Sequence, residues 1–469
     1  MLWRTARDAG ASLNQDSKWR FWLGAISSRG LADAITGLPI VLILWGLAIL
    51  HTVRLAVDLP QRAYTHDFSA FYASAIALRH SLDPYTADLT PIGQPLGMHI
   101  GSLNHATDTP TALLFFIPFS LATPSVAHTI WIALNGGALA AALILLLRPK
   151  YSGLSVRMGC AIGAIALLYQ PITDNFLFGQ RQTLILLLLV LVMRALDKGR
   201  EAAAGLLFGL AVAYRAFPLL ISGYFVMRRE WRPLIFMGVA LAIIGVVTVA
   251  GLGIPVCASY PHGMRFAVSA FRLDPADVAL RGFTIRLFSY VAGLQPNTRI
   301  QILQRIAITS GEIVIVGLAA WPTYQRRQRV GLDRRAYALW IAAAVVLSPL
   351  SWIHYMILLL IPFVEIASAA ERQKCSRRAV LAAIASYVLI AITYRLREDL
   401  VGVTAWVHGV RYLAEGPSVS LLLGFLAAYW FATDTSDSPD AENLRQTPPG
   451  FAPPDLSPAQ FVSLRAEKV

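Results

Sequence analysis

The stretch that decides the fold is residues 182–232, QTLILLLLVLVMRALDKGREAAAGLLFGLAVAYRAFPLLISGYFVMRREWR. An apolar run ends in the basic cluster Arg194, Lys198 and Arg200, and a second apolar run ends in Arg228, Arg229 and Arg232. Basic clusters collect on the cytoplasmic side of a membrane, so a single helix across 201–227 would strand one cluster on the wrong side. The interval therefore reads as two short helices meeting at Arg215, with Pro218 marking the break. The same argument applies to 336–370, which breaks between Ser348 and His354 at Pro349.

The rest of the chain agrees. Of 469 residues, 56% are hydrophobic and only 14% charged, against about 25% charged in ordinary globular proteins. The class is all-α and polytopic. Net charge is +13, yet the basic residues sit in short clusters between apolar runs. That pattern signals orientation, not a nucleic-acid surface, and no nucleic acid is expected as a partner. Cys160, Cys257 and Cys375 show no CxxC spacing, which supports neither a disulfide framework nor a thiolate metal site.

The first 34 residues carry five basic side chains and no cleavable signal pattern, so 1–34 reads as a cytoplasmic segment and Ile35 to Leu55 as an uncleaved anchor. An external loop 57–109 follows. Further apolar candidates are 124–147, 158–171, 182–197, 233–252, 306–324, 379–395 and 413–432, several of them shorter than the ~20 residues of a simple span. Thr111 to Leu121 spans only ~16 Å as a helix, too short to cross, and reads as re-entrant. The expected architecture is a body at 35–432 of roughly 12 helices, some short and broken. A second external loop covers 253–305, and a Pro-rich disordered cytoplasmic tail covers 433–469. Both termini would be cytoplasmic.

Four groups could carry chemistry. Phe68, Phe71, Tyr72, Ala75 and Ile76 form a helical stripe fitting a short helix flat on the outer leaflet. Asp67 stands just before it, either as an N-cap or as a general base, roles that are compatible. Ser348 to Tyr355 places His354 at a hairpin edge, as a proton-handling group or as a buried His bonded to a carbonyl. Arg215 within an apolar run needs an anion, either a phosphate or an external aspartate. Asp174 and Asn175 with Gly179, Gln180, Arg181 and Gln182 form a polar loop that is either a site or an ordinary turn. The loop histidines His66, His80, His99 and His105 match no metal spacing, and no metal or other cofactor is expected.

In order, Asp67-Phe68-Ser69-Ala70-Phe71-Tyr72 with Asp83-Pro84-Tyr85, Phe178-Gly179-Gln180, Ala204-Gly205 leading to Tyr214-Arg215-Ala216-Phe217-Pro218, and Ser348-Pro349-Leu350-Ser351-Trp352 with His354 resemble glycosyltransferase family 87. The resemblance implies a GT-C-like bundle with interfacial helices in its first external loop. It also implies an extracytoplasmic active site that moves a hexose, mannose on the family's pattern, from a polyprenyl-phosphate donor to a lipid or glycan acceptor in the cell membrane. Asp67 maps to the catalytic base with His354 beside it. Arg215 and Arg181 would hold donor phosphate, and Tyr72, Asp83, Tyr85, Gln180, Trp352 and Tyr355 would bind substrate. Departures from the pattern are Arg215 in place of Lys, Ser81 in place of a Gly, Ile353 in place of an Asp, and a reduced motif at Asp108-Thr109-Pro110. A transporter or flippase of a lipid-linked sugar, or a non-catalytic envelope subunit, would present similar features.

Overall fold

The structure is a computed structural model describing residues 36–101, 104–292, 298–329, 331–400 and 415–434. The expected cytoplasmic N-terminal segment and nearly all of the tail lie outside the described residues. The principal helices are α1 (Leu38–Asp58), α2 (His66–Arg79), α3 (Pro110–Phe116), α4 (Pro124–Leu147), α5 (Val156–Leu167), α6 (Gln170–Leu177), α7 (Gln182–Asp197), α8 (Glu201–Tyr214) and α9 (Ser222–Arg228). They continue as α10 (Trp231–Leu252), α11 (Ile254–Ala270), α12 (Leu280–Ala292), α13 (Thr298–Gln325), α14 (Arg334–Leu347), α15 (Leu360–Glu371), α16 (Arg377–Leu400) and α17 (Gly416–Thr433). Among the described residues there is no named strand; a lone bridge joins Asp277 to Trp352.

Both inferred hairpins are present. A 3₁₀ turn at Phe217–Ile221 separates α8 from α9, and Ile353–Leu359 is 3₁₀ between α14 and α15. Each break carries a proline, which lacks the amide that an unbroken helix would use. Among the described residues, seven stretches are long and apolar enough to cross a membrane, or eight with the bent pair α5–α6. The expected count of roughly twelve, which took each hairpin as two short helices, is not confirmed; α3, α8 and the 217–228 piece are the shorter apolar helices among the described residues. Residues 111–121 form all but the first residue of α3 and then a 3₁₀ turn, Ile117–Leu121. The interval 253–305, expected as a loop, holds α11, α12 and the start of α13.

Apolarity alone does not separate inside from outside here. Along α10, Ile235, Ile243 and Val246 are exposed, as are Leu42, Ile43 and Leu50 on α1 and Ile302, Ile306 and Ile313 on α13. These are surfaces for hydrocarbon. By contrast α14, the 3₁₀ segment after it and α15 are buried almost throughout. The helix α2, expected against lipid, is likewise enclosed: Phe68, Phe71 and Tyr72 pack with Phe116 and Trp131, and Ala70, Ala73 and Ala77 pack on Leu89 and Ile100. Small residues on its second face let neighbours approach closely.

One end of the bundle is held by charge. Arg194 and Arg334 share Asp197 at 2.8 and 2.7 Å, and Arg334 reaches Glu365 at 3.0 Å. Arg335 donates to the carbonyls of Phe431 and Lys374. The opposite ends of α7, α8, α14 and the α15 hairpin carry Arg181, Arg215, Ser348 and His354.

The α8–α10 pair packs most extensively and depends on small residues. A Cβ on Gly205 would lie 2.7 Å from Phe236 Cβ and 3.1 Å from Met237 N, and one on Gly209 only 2.6 Å from Ala240 Cβ. Gly205→Leu is therefore expected to destabilise the protein by about 1–3 kcal/mol through overpacking, read as a lower thermal midpoint in detergent. An unchanged midpoint would show that the α8–α10 contact is not needed.

Candidate active site

A cavity of about 110 Å³ opens where these helix ends meet, lined among others by Asp67, Gln180, Arg181, Arg215, Trp352 and Tyr355. Its geometry starts from a turn. Gly179 has φ +65°, in the left-handed region, and a Cβ there would lie 2.7 Å from Phe68 Cβ. Only glycine satisfies both conditions without strain. The turn docks onto the start of α2, where the amide of Phe68 donates to the Phe178 carbonyl at 3.3 Å. Trp131 Nε1 donates to the Gly179 carbonyl at 2.6 Å, and the Gln180 amide donates to the Asn175 carbonyl at 2.7 Å.

Gln180 is thereby aimed at Asp67. Its Nε2 donates to Asp67 Oδ2 at 2.5 Å while its Oε1 accepts from Arg215 Nη1 at 3.4 Å. A carboxylate accepts and a guanidinium donates, so the amide has one satisfactory orientation. Asp67 is not the helix cap. Thr65 holds that position, and the Asp67 carboxylate makes no cap bond. The residue before it, His66, has φ +62°, an uncommon conformation for a non-glycine residue and a local cost of the kind found at functional sites.

The two arginines differ in their partners. Arg181 is 1% exposed, ion-paired with Asp108, and flanked by the rings of Phe71 and Tyr214. Arg215 Nη2 donates to the Tyr355 hydroxyl and lies 4.5 Å over that ring. Its hydrogen-bond partners are thus neutral, so its charge is available to an incoming anion, whereas that of Arg181 is largely matched.

His354 is buried behind the cavity wall, with Nδ1 3.2 Å from Asp174 Oδ2; Tyr394 donates to the other oxygen at 2.7 Å. With Asp174 accepting from Nδ1, the neutral ring presents an unprotonated Nε2, and this atom has no hydrogen-bond partner. Asp67 is an electrostatic neighbour of the ring, with Gln180 as its bonded partner. Tyr72, Asp83 and Tyr85 lie outside the cavity lining. The Tyr72 hydroxyl donates to the Ala122 carbonyl, Asp83 accepts from the Tyr85 amide at 3.0 Å, and the Tyr85 hydroxyl donates to the Asp108 carbonyl at 2.6 Å. They hold the walls. Among the described residues, no group of three or more His, Cys, Asp or Glu side chains could hold a metal ion.

Asp174, which the sequence leaves between site and turn, Asp108, which it names only within a reduced motif, and Tyr260, which it does not single out, also belong to this region. Asp277 was missed as well. It accepts from the amides of Ser351 at 2.9 Å and Ala279 at 3.1 Å, and the Val278 amide donates to the Ser351 carbonyl at 2.6 Å. The cavity loop Ser348 to Trp352 is thus tied to the segment before α12. Burial pushes Asp277 up to about 6, against the opposing pull of its backbone donors.

The sequence profile of glycosyltransferase family 87 matches residues 107–349, more than half of the chain. The protein belongs to that family, and its apolar helices make it a multi-pass membrane protein. The match includes Gln180, Arg181 and Arg215 and ends just short of His354; Asp67 precedes it. One relative, the polyprenol-phosphate-mannose-dependent alpha-(1-2)-phosphatidylinositol mannoside mannosyltransferase of Mycobacterium tuberculosis, is 24% identical over 225 residues, 48% of this chain and 49% of the relative. Another, the polyprenol-phosphate-mannose-dependent alpha-(1-2)-phosphatidylinositol pentamannoside mannosyltransferase of Mycolicibacterium smegmatis, is 26% identical over 266 residues, 54% of this chain and 59% of the relative. The matches thus span about half the length of these curated relatives. No solved structure matches the chain.

Two outcomes follow from this geometry. Gly179→Ala is expected to destabilise by more than ~1 kcal/mol, because its φ is disfavoured for an L side chain and its methyl group collides beside Asp67; chemical unfolding would read this, and an unchanged midpoint would refute it. For Asp277, the carboxyl is raised to about 6 from about 3.9 unfolded. Its contribution to stability is fully present below about pH 4 and is lost as pH rises through about 6. Asp277→Asn should flatten that part of the thermal-midpoint profile, and an unaltered slope would assign it elsewhere.

Proposed function

We propose that the protein transfers a hexose, mannose by likeness to its relatives, from a polyprenyl-phosphate donor to a hydroxyl of a lipid or glycan acceptor. The observation that carries this reading is one cavity holding an oriented carboxylate, Asp67, and a guanidinium with neutral partners, Arg215, joined through Gln180. Asp67 takes the proton of the acceptor hydroxyl as its oxygen attacks the anomeric carbon. The bond from that carbon to the phosphate oxygen breaks, and polyprenyl phosphate leaves with its charge facing Arg215. Arg181 contributes less to that charge while Asp108 matches it. A single displacement inverts the anomeric centre, since a retaining route through a glycosyl-enzyme would need a nucleophilic carboxylate besides the base.

His354, held by Asp174, acts as a positioning group for the electrostatics around Asp67. Trp352 and Tyr355, the latter stacked on Phe217 at 5.0 Å, offer aromatic surface for the sugar. The cavity lies at the helix ends opposite the basic clusters, so the positive-inside rule supports an extracytoplasmic active site with the basic end in the cytoplasm. Lipid tails would lie against the exposed apolar helices.

Asp67→Asn is expected to lower turnover by about 10²–10⁴-fold while leaving the thermal midpoint within a few degrees. The measurement is mass analysis of lipid products after incubating the purified protein with polyprenyl-phosphate sugars and candidate acceptors. Full turnover by this variant, or movement of donor across vesicles with no new glycosidic bond, would overturn the transferase reading and favour a translocator.

A further inference from the structure

At the charge-held end of the bundle, the helices α5, α15 and α16 leave an apolar groove of about 200 Å³ between them, sharing no lining residue with the candidate catalytic cavity. Its walls include Met158 and Ile162 of α5, Phe363 and Ala367 of α15, and Ala383 and Ile384 of α16. Ile384 is 40% exposed, as are the neighbouring Leu381 and Val388 to a greater degree, so the groove opens onto a surface for hydrocarbon. Two of its lining residues, Tyr387 and Glu371, carry oxygen atoms in their side chains, and both are committed elsewhere: the Tyr387 hydroxyl donates to the Ile165 carbonyl at 2.8 Å, and Glu371 Oε2 accepts from the Ser155 amide at 3.0 Å. An apolar space of this size does not hold water and takes an apolar guest.

The mouth of the groove identifies the guest. Both α5 and α16 begin there, and their first turns carry Arg157, Arg377 and Arg378, all exposed. Arg157 adjoins the lining residue Met158, and Arg378 stands two residues before the lining residue Val380. Cations in the first turn of a helix oppose its dipole, so an anion is favoured at this mouth by the arginines and by the helix ends together. The arginines stand outside the apolar lining, where a headgroup would lie. Aliphatic walls with guanidinium heads at their edge form the interfacial pattern that pairs a hydrocarbon chain with an anionic headgroup. Basic clusters mark the cytoplasmic side, which makes the guest a lipid of that leaflet.

The inner wall of the groove leads toward His354. Tyr169 stacks on Tyr387 at 5.2 Å and meets the Phe363 ring at 6.2 Å, and its hydroxyl donates to the carbonyl of Met356 at 3.3 Å, two residues beyond His354. Tyr394, seven residues after Tyr387 and so on the same face of α16, donates to Asp174 at 2.7 Å. We propose that the groove is a binding site for an anionic phospholipid of the cytoplasmic leaflet, with one acyl chain between α5, α15 and α16 and the headgroup among Arg157, Arg377 and Arg378. This lipid is a structural partner and not a substrate. It braces α16, the helix whose Tyr387 supports Tyr169 and whose Tyr394 holds Asp174. The site stands apart from the transferase reading, because nothing in it uses the catalytic cavity.

The test is native mass spectrometry of the purified, delipidated full chain, titrated with palmitoyl-oleoyl phosphatidylglycerol or palmitoyl-oleoyl phosphatidylcholine. A single phosphatidylglycerol is expected to bind about tenfold or more tightly than phosphatidylcholine and to raise the thermal midpoint. Arg157→Gln with Arg378→Gln should bring phosphatidylglycerol down to the level of phosphatidylcholine and leave phosphatidylcholine unchanged. Ala383→Trp, which fills the groove, should weaken both lipids by about tenfold through the loss of apolar burial. If that variant is not recovered, Ala367→Phe carries the same comparison from the opposite wall. Equal wild-type affinity for the two lipids, or wild-type binding by the filled groove, would overturn the site. A loss on filling the groove with none in the double arginine variant would overturn the anionic headgroup, and a midpoint that phosphatidylglycerol does not move would overturn the brace. No turnover is measured, so an inactive protein would still give this pattern and failure of the transferase reading is read separately.

Discussion

The site depends on a single amide. Gln180 donates to Asp67 and accepts from Arg215, and so holds a carboxylate and a guanidinium apart without letting them pair directly. In a buried, low-dielectric setting, two opposite charges left to themselves would close into an ion pair, as Arg181 and Asp108 have done. An amide between them separates a carboxylate from a guanidinium and satisfies both. The tight Gly179 turn, the indole of Trp131 and the carbonyl of Asn175 serve that placement by leaving the Gln180 side chain one direction to point.

The rest of the bundle gives this arrangement its rigidity. At the far end, Asp197, Glu365 and their arginines join α7, α14 and α15, and between the ends α8 meets α10 through glycines. Helices fixed at both ends carry their broken tips to a defined meeting place. Broken helices are tolerated at membrane depth where they line a cavity or lie within protein, and the Pro218 and Pro349 breaks do both. The breaks that shorten the spans below a full crossing also expose the backbone and side chains from which the cavity is made.

The cavity has a larger neighbour of about 740 Å³, and the two share Met264 and Pro349 in their walls but differ in character. The first is small, with Asp67 and Arg215 held apart by Gln180 and with aromatic faces; the second is wide and lined by Arg265, Arg272, Arg281 and Arg305. The loop Ser348 to Trp352 stands between them, bound on one side by Asp277. The relation between the two volumes therefore rests on buried hydrogen bonds to an acid whose ionisation falls near mildly acidic pH.

The amino-acid sequence by itself determined the helical membrane class, the two broken hairpins and their breakpoints, because charge clusters and apolar runs are local features that act through the bilayer as solvent. It also singled out Gln180, Arg215, His354 and Asp67, since polar residues in apolar surroundings carry a cost visible without knowing their partners. Those partners were decided only by the tertiary structure. That Asp174 holds His354, that Asp108 takes Arg181, that Tyr72 and Tyr85 brace walls, that α2 is enclosed, and that 253–305 is helical all depend on contacts between residues distant along the chain. Hydropathy cannot distinguish an apolar face against lipid from one against protein, and the spacing of charges along a chain does not reveal which of them a fold will bring within hydrogen-bonding distance.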